Sequence, residues 1–228
     1  MIARVKDDPE ARWVYMGDGG ECVTKQSKGD VYTQTLNIQE QLEYLVELLE
    51  PIAGQGLFGV RGNHGNRVFK ETGMGFDDNL CRILRLPYMG LSCFCKIIVN
   101  RSGYDVFFHH GIDSGVTIGA KTTAAKKLEQ NVWADAIFSA HSHICCELPP
   151  SHAAYIEAHR KNAGADIRWR TTSSYICGCA YDSRSGYAED KGYPPILPAH
   201  LAVTFGGVCR KGGFPAHEQS CTIWRAEA

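Results

Sequence analysis

Apolar runs stop at four places along this chain, and each stop is followed by a cluster of ligand-type residues. Trp13-Val14-Tyr15-Met16 gives way to Gly17-Asp18, and Leu57-Phe58-Gly59-Val60 to Gly62-Asn63-His64. Val106-Phe107-Phe108 leads into His109-His110-Gly111, and Ala136-Ile137-Phe138 into His141-Ser142-His143. Short continuous apolar runs bounded by turn residues predict buried strands. The polar clusters then gather at strand ends, where α/β folds place their chemistry.

Between the runs the periodicity becomes helical. Ile38, Leu42, Leu45, Val46 and Leu49 predict an amphipathic helix over 37–49. It lies between the first two strands and so makes a β-α-β unit, with parallel strands and a right-handed crossover. Leu80, Ile83 and Leu84 predict a helix over 76–86, ended before Pro87, and a third is expected over 120–131. Residues 94–99 and 104–108 flank Asn100-Arg101-Ser102-Gly103, the turn of a hairpin. Gly115, Gly119 and Asp135 read as turn and helix-boundary positions. After residue 150 the pattern is β-rich over 167–177, 201–208 and 221–225, while 182–198, dense in Gly, Pro, Ser and Tyr, reads as a long loop. The expectation is one domain over 1–228, an α/β front half followed by a β-rich half that closes a second sheet.

Length and composition agree with a single soluble core: 228 residues and 44% hydrophobic content. The formal charge of −1 gives no global basic field for nucleic acid or a membrane surface. No apolar stretch approaches the roughly 20 residues of a membrane span. The segment Met1-Ile2-Ala3-Arg4-Val5-Lys6-Asp7-Asp8 has no signal-peptide core, so the expectation is the cytoplasm with no membrane partner. Of the ten cysteines, Cys93-x-Cys95, Cys145-Cys146 and Cys177-x-Cys179 are close pairs, and Cys22, Cys81, Cys209 and Cys221 stand alone. No C-x-x-C occurs, which disfavours a zinc ribbon. Reduced, buried thiols are expected instead.

Asp, Asn and imidazole together suit a divalent transition metal better than calcium or magnesium. The order of the clusters resembles the calcineurin-like metallophosphoesterases, whose signature runs D-x-H, G-D-x-x-[DE], G-N-H-[DE], H-G, G-H-x-H. The matching pieces span residues 17 to 143. The resemblance implies an α/β sandwich of two mixed β-sheets flanked by helices, a divalent transition metal (Mn, Zn, Fe or Ni), and hydrolysis of phosphate esters by metal-activated water. It assigns Asp18, Asn63, His110 and His141 to one well-held metal site, with Asp18 bridging to a second that includes His143. Successive strand residues face opposite ways, so only one of His109 and His110 should reach the metal. The family ligand directly precedes Gly, which selects His110. His64 takes the place of a general acid, and Glu21, at the acidic position of G-D-x-x-[DE], would hold its tautomer. Arg61 and Arg67 flank the Asn63-His64 motif and could clamp phosphate oxygens, or serve as solvated or structural ion pairs.

The chain departs from the pattern in three places. Ala140 replaces the Gly of G-H-x-H, and Gly65 stands where the family has Asp or Glu after the histidine, which leaves the support of His64 open. No D-x-H precedes Asp18, and no histidine precedes His64. Either the chain is a fragment lacking its first strand, or its lineage does without that motif. The second metal, left with Asp18 and His143, should be weak or empty. A missing strand would also expose a sheet edge that a homo-oligomer could cover. The expected function is a metal-dependent phosphoesterase preferring phosphodiesters to phosphomonoesters, with nucleic acid as a substrate unsupported by charge. The alternatives are a catalytically weak or inactive metal-binding domain acting through protein contacts, and a cysteine-based hydrolase or redox protein using Cys145 or Cys146 near His143. His152, His159, His200 and His217 have no motif around them, so surface or core roles are expected.

Overall fold

Inward-facing Tyr104, Val106 and Phe108 alternate with half-exposed neighbours along one strand, as expected where a strand lays one face on a core. The computed structural model of the chain describes residues 1–27, 31–112, 115–158, 165–181, 196–207 and 219–225. Most of the expected loop over 182–198, together with His159, Cys209 and His217, lies outside the described residues.

Two sheets pack face to face with helices on both outer sides. The smaller pairs β1 (Trp13–Tyr15) with β2 (Gly56–Gly59) in parallel. The helix expected between them is α2 (Ile38–Leu49). Its start is fixed by a reciprocal cap: Asn37 Oδ1 accepts from Glu40 N–H at 3.0 Å, and Glu40 Oε2 accepts from Asn37 N–H at 2.7 Å. The larger sheet contains β3 (Ser92–Val99), β4 (Ser102–His109), β5 (Ala136–Ser139), β7 (Ala165–Cys179), β8 (Ala199–Phe205) and β9 (Gln219–Arg225) in that order, with β6 (Cys145–Ala158) paired along β7. It is mixed, because β4, β5 and β7 run parallel while the other pairings are antiparallel.

Phe58 and Val60 from the smaller sheet meet Val106, Phe108, Phe138 and Tyr175 from the larger one, which makes the central apolar layer. Phe108 is the contact between sheets: it stacks on Phe138 at 4.8 Å and meets Phe58 edge-on at 5.1 Å. On the other face of β1, Trp13 and Tyr15 pack with Val5 of α1 (Ile2–Asp7), Leu42 and Leu49 of α2, Val68 of α3 (Asn63–Thr72) and Leu80 of α4 (Phe76–Ile83). Beyond the larger sheet, Ala125 of α5 (Ile118–Lys127) covers Leu148 and Ile176. The layers are thus helix, sheet, sheet, helix. Among the described residues no strand pairs with the outer edge of β1, and no helix is long and apolar enough to cross a membrane.

Several boundaries differ from the sequence reading, each for a local reason. The helix expected over 76–86 ends at Ile83, because Arg85 takes a left-handed backbone with φ 59°. The hairpin turn is the tighter Asn100-Arg101, since Val99 pairs with Ser102 and Asn100 supplies the positive φ of 54°. The third helix becomes a 3-10 turn from Leu128. Strand β6 had no strand signal, because Pro149 and Pro150 interrupt it. An edge strand tolerates them, and the register shifts between Leu148 and Ser151. Helix α3 was also unforeseen.

Glu129 is held at the rear of the larger sheet by the Lys126 ammonium at 2.7 Å and by the hydroxyls of Ser151 and Ser174. Burial opposes its ionisation, yet these donors outweigh burial and keep its carboxyl below the usual glutamate range. A depressed folded pKa contributes stability above the unfolded value of about 4.3 and loses it as pH falls further. The urea midpoint of the wild type should therefore drop on going below about pH 4.3 by more than that of Glu129→Gln, and equal drops would refute the assignment. Phe108→Ala should cost about 3–5 kcal/mol in equilibrium urea unfolding at pH 7. A loss well under 1 kcal/mol would show that the sheets do not meet through this ring.

Candidate metal centre

The four strands that end in polar clusters deliver them to one place, at the C-terminal ends of β1, β2, β4 and β5. Asp18 is the hub. Its backbone is left-handed, with φ 57°, which turns the carboxylate back over the start of α3. Oδ1 accepts from His64 N–H at 2.8 Å, so a carboxylate from another strand neutralises the positive end of that helix. The approach is so close that a Cβ at Gly62 would stand 2.0 Å from Asp18 Oδ1. Only glycine fits there.

Oδ2 of Asp18 is buried and without a hydrogen-bond partner, although His110 Nε2 lies 3.0 Å from it. The ring's other contact explains why nearness is not bonding. His110 Nδ1 sits 2.6 Å from the Met16 carbonyl oxygen, which can only accept, so Nδ1 carries the proton of the neutral ring. The Nε2 lone pair then faces Asp18 Oδ2 and Asn63 Oδ1, the latter also at 3.0 Å. With the ring neutral, three acceptors converge with no proton between them. A separation of about 3 Å is also the spacing of neighbouring ligands each about 2.1 Å from one cation. The ligand atoms of Asp18, His110 and His141 all fall within 4.8 Å of one another. The donor set therefore fits a divalent transition cation.

Asp18 and His110 are also coupled electrostatically. Burial works against the charged form of Asp18, but His110 and His64 outweigh it and lower its pKa. Burial likewise works against imidazolium at His110, and Asp18 outweighs it and raises its pKa. Each group thus favours the charge that its neighbour lacks.

His141 and His143 both adopt positive φ, 63° and 59°, and the His110 and His141 rings lie 5.3 Å apart. His143 falls outside the cluster formed by Asp18, His110 and His141. Burial lowers its pKa, as does neighbouring His141, and its ring lies near Tyr181. His64 occupies the first turn of α3, between Glu21 Oε2 at 3.7 Å from its Nδ1 and Asp18 Oδ2 at 3.8 Å from its Nε2. These are ion-pair distances, too long for hydrogen bonds. Glu21 and Arg67 line the same open cleft as His64, His110, His141 and His143, whereas Arg61 does not appear on its wall. The Arg61 backbone N–H instead donates to Gly90 O at 2.7 Å. His109 accepts from Gly111 N–H at 2.9 Å and stays out of the cluster. His152 bonds Thr171 on the exposed face of β6 and β7.

The described cysteines are all free thiols. Burial pushes Cys145 up to about 11 and also raises Cys146, the reverse of what a thiolate nucleophile needs. The sequence reading missed two residues behind the centre, Tyr15 and Asp77, which are in contact at 2.7 Å. Tyr15 reads as a core aromatic and Asp77 as an ordinary acid in a first helical turn. Only the burial of Asp77, at 2% exposure, sets it apart.

No protein-family model matches the chain, and no curated protein matches it. Among solved structures it is similar to vacuolar protein sorting 29 from Cryptosporidium parvum, at 10% identity over 99% of this chain and 88% of that one, with a TM-score of 0.38. A double mutant of Vps29 from Entamoeba histolytica aligns at 11% identity over 94% of this chain and 99% of that one, with the same TM-score of 0.38. Vps29 from Chaetomium thermophilum aligns at 11% identity over 94% of this chain and 96% of that one, with a TM-score of 0.30. Likeness at this level decides nothing about activity.

Proposed function

We propose that the protein is a metal-dependent phosphoesterase that prefers phosphodiesters. The observation that carries this reading is the convergence of Asp18 Oδ2 and Asn63 Oδ1 on His110 Nε2, each 3.0 Å from it, which leaves three acceptors facing one another when the ring is neutral. Asp18, Asn63, His110 and His141 would hold a divalent transition cation, with Mn, Zn, Fe and Ni all matching the donor set. Such a cation supplies Lewis acidity and lowers the pKa of bound water.

The remaining steps belong to the chain's own side chains. His64 borders the cleft between the carboxylates of Asp18 and Glu21, and as general acid it delivers a proton to the departing ester oxygen. Glu21 keeps the ring oriented. Arg67, on the same wall, binds the non-bridging phosphoryl oxygens. Arg61 is the second guanidinium of this reading. His143 with Asp18 would hold a second metal only weakly, if at all. One proton donor and one activated water suffice for a diester, hence the preference. With a formal charge of −1, nothing favours nucleic acid over a small diester. A homo-oligomer that covers the outer edge of β1 and a cytoplasmic location belong to the same reading.

A second reading is a metal-binding domain that acts through protein contacts. It is favoured by the single donor cluster found among the described residues, with His143 outside it.

Protein supplied with manganese should hydrolyse bis(4-nitrophenyl) phosphate and lose that activity on chelation. Undiminished turnover after verified metal removal would sink the metalloenzyme reading, and tight metal binding without turnover would favour the contact domain. His64→Ala should lower kcat by about 10²–10⁴-fold on an alkyl diester while metal content is retained. The loss should be smaller with a nitrophenolate leaving group, which needs little protonation. His110→Ala should lose the metal. If His64→Ala strips the metal as completely as His110→Ala does, His64 is a ligand and not the acid.

A further inference from the structure

Behind the metal-binding loops, α4 sends one carboxylate into a space that the sequence leaves empty. Asp77 Oδ1 accepts from the Tyr15 hydroxyl at 2.7 Å, and that hydroxyl accepts in turn from Gly19 N–H at 2.8 Å. Asp77 Oδ2 accepts from Gly62 N–H at 3.2 Å. Gly19 adjoins Asp18, and Gly62 adjoins Asn63. One buried carboxylate thus ties together the two loops that carry those donors, each through a residue next to the donor itself. A Cβ on Gly65 would stand 2.2 Å from Asp77 Oδ2, so the carboxylate fills the volume that any side chain at 65 would enter. The signature described above has an acid at that position. Here the acid comes from a different helix.

We propose that Asp77, acting through Tyr15, is the positioning residue of the metal centre, and that it takes over from α4 the place left vacant by glycine at position 65. The inference rests on the metal-binding reading of Asp18, Asn63, His110 and His141. Its physical basis is preorganisation: loops fixed by a shared acceptor hold their donors converged before a cation arrives, and a loosened outer partner weakens the site without removing a ligand. The backbone N–H groups of Gly19 and Gly62 cannot both keep their partners if Asp77 is lost, since the Tyr15 hydroxyl is oriented by the same carboxylate.

The test is cobalt(II) titration of metal-free protein followed by visible absorption, with the unfolding midpoint of each metal-free variant measured alongside. Asp77→Ala should raise the cobalt Kd by roughly 10–100-fold and change the absorption band. Asp77→Asn should have a smaller effect, because its amide oxygen still accepts from Tyr15. Tyr15→Phe should act in the same direction, and Tyr15→Phe combined with Asp77→Ala should cost no more than Asp77→Ala alone, as expected for one connected unit. Gly65→Ala should weaken cobalt binding in the wild-type background and do little beside Asp77→Ala, where the clashing carboxylate is gone. A folded Asp77→Asn or Tyr15→Phe protein with wild-type Kd and spectrum would overturn the inference, even if its unfolding midpoint fell. These two variants decide the matter should Asp77→Ala fail to fold. Wild-type protein that binds no cobalt would instead overturn the metal-binding reading itself.

Discussion

The Asp18 carboxylate has two jobs, and the surrounding structure is arranged around doing both at once. One oxygen satisfies the N–H of His64 at the start of α3, and the other is buried with no donor directed at it. A buried acceptor without a partner costs about 1–3 kcal/mol, more when it is charged. Such a cost is carried in a folded protein when something outside the polypeptide meets it. Because His110 is locked by the Met16 carbonyl, it cannot offer a proton toward Asp18 while neutral. The carbonyl of Met16 therefore sets the chemistry of the centre as much as its side-chain donors do.

Strain is concentrated at the same place. Asp18, His141 and His143 have positive φ without being glycine, and each such residue costs on the order of 1–3 kcal/mol. The scaffold that over-determines them is stiff. Phe58, Phe108 and Phe138 lock the two sheets together directly beneath the loops. On the outer face, Tyr15 and Asp77 hold the loops from behind. The ligand loops thus sit between an apolar floor and a buried polar anchor, and neither leaves them room to relax into ordinary backbone conformations.

His64 shows how helix α3 changes the meaning of a motif. In the sequence, Gly62-Asn63-His64 reads as a strand end. In the structure it is a helix start, which puts the Asn63 side chain toward the centre and the His64 ring over the cleft. The positive end of the helix faces the same cleft, where it favours the negative charge of Asp18.

The sequence by itself determined the strand ends and the parallel β-α-β unit, and it set four polar clusters at those ends, because apolar runs and turn residues act locally and carry their polar tails with them. The choice of Asp18, Asn63, His110 and His141 within the clusters came from the family resemblance. Strand alternation also separated His109 from His110, and the family motif chose between them. Helix α3 escaped because its few apolar positions follow a glycine-rich start, and β6 escaped because Pro149 and Pro150 mask a strand that only an edge position permits. Arg61 and Arg67 look equivalent by spacing, yet of the two only Arg67, within α3, lines the cleft, while Arg61 lies before the helix. Asp77 could not be found from sequence at all. Its role comes from a contact between α4 and a glycine twelve residues earlier in the chain, and which empty volume a side chain fills is settled only when separate elements pack against each other.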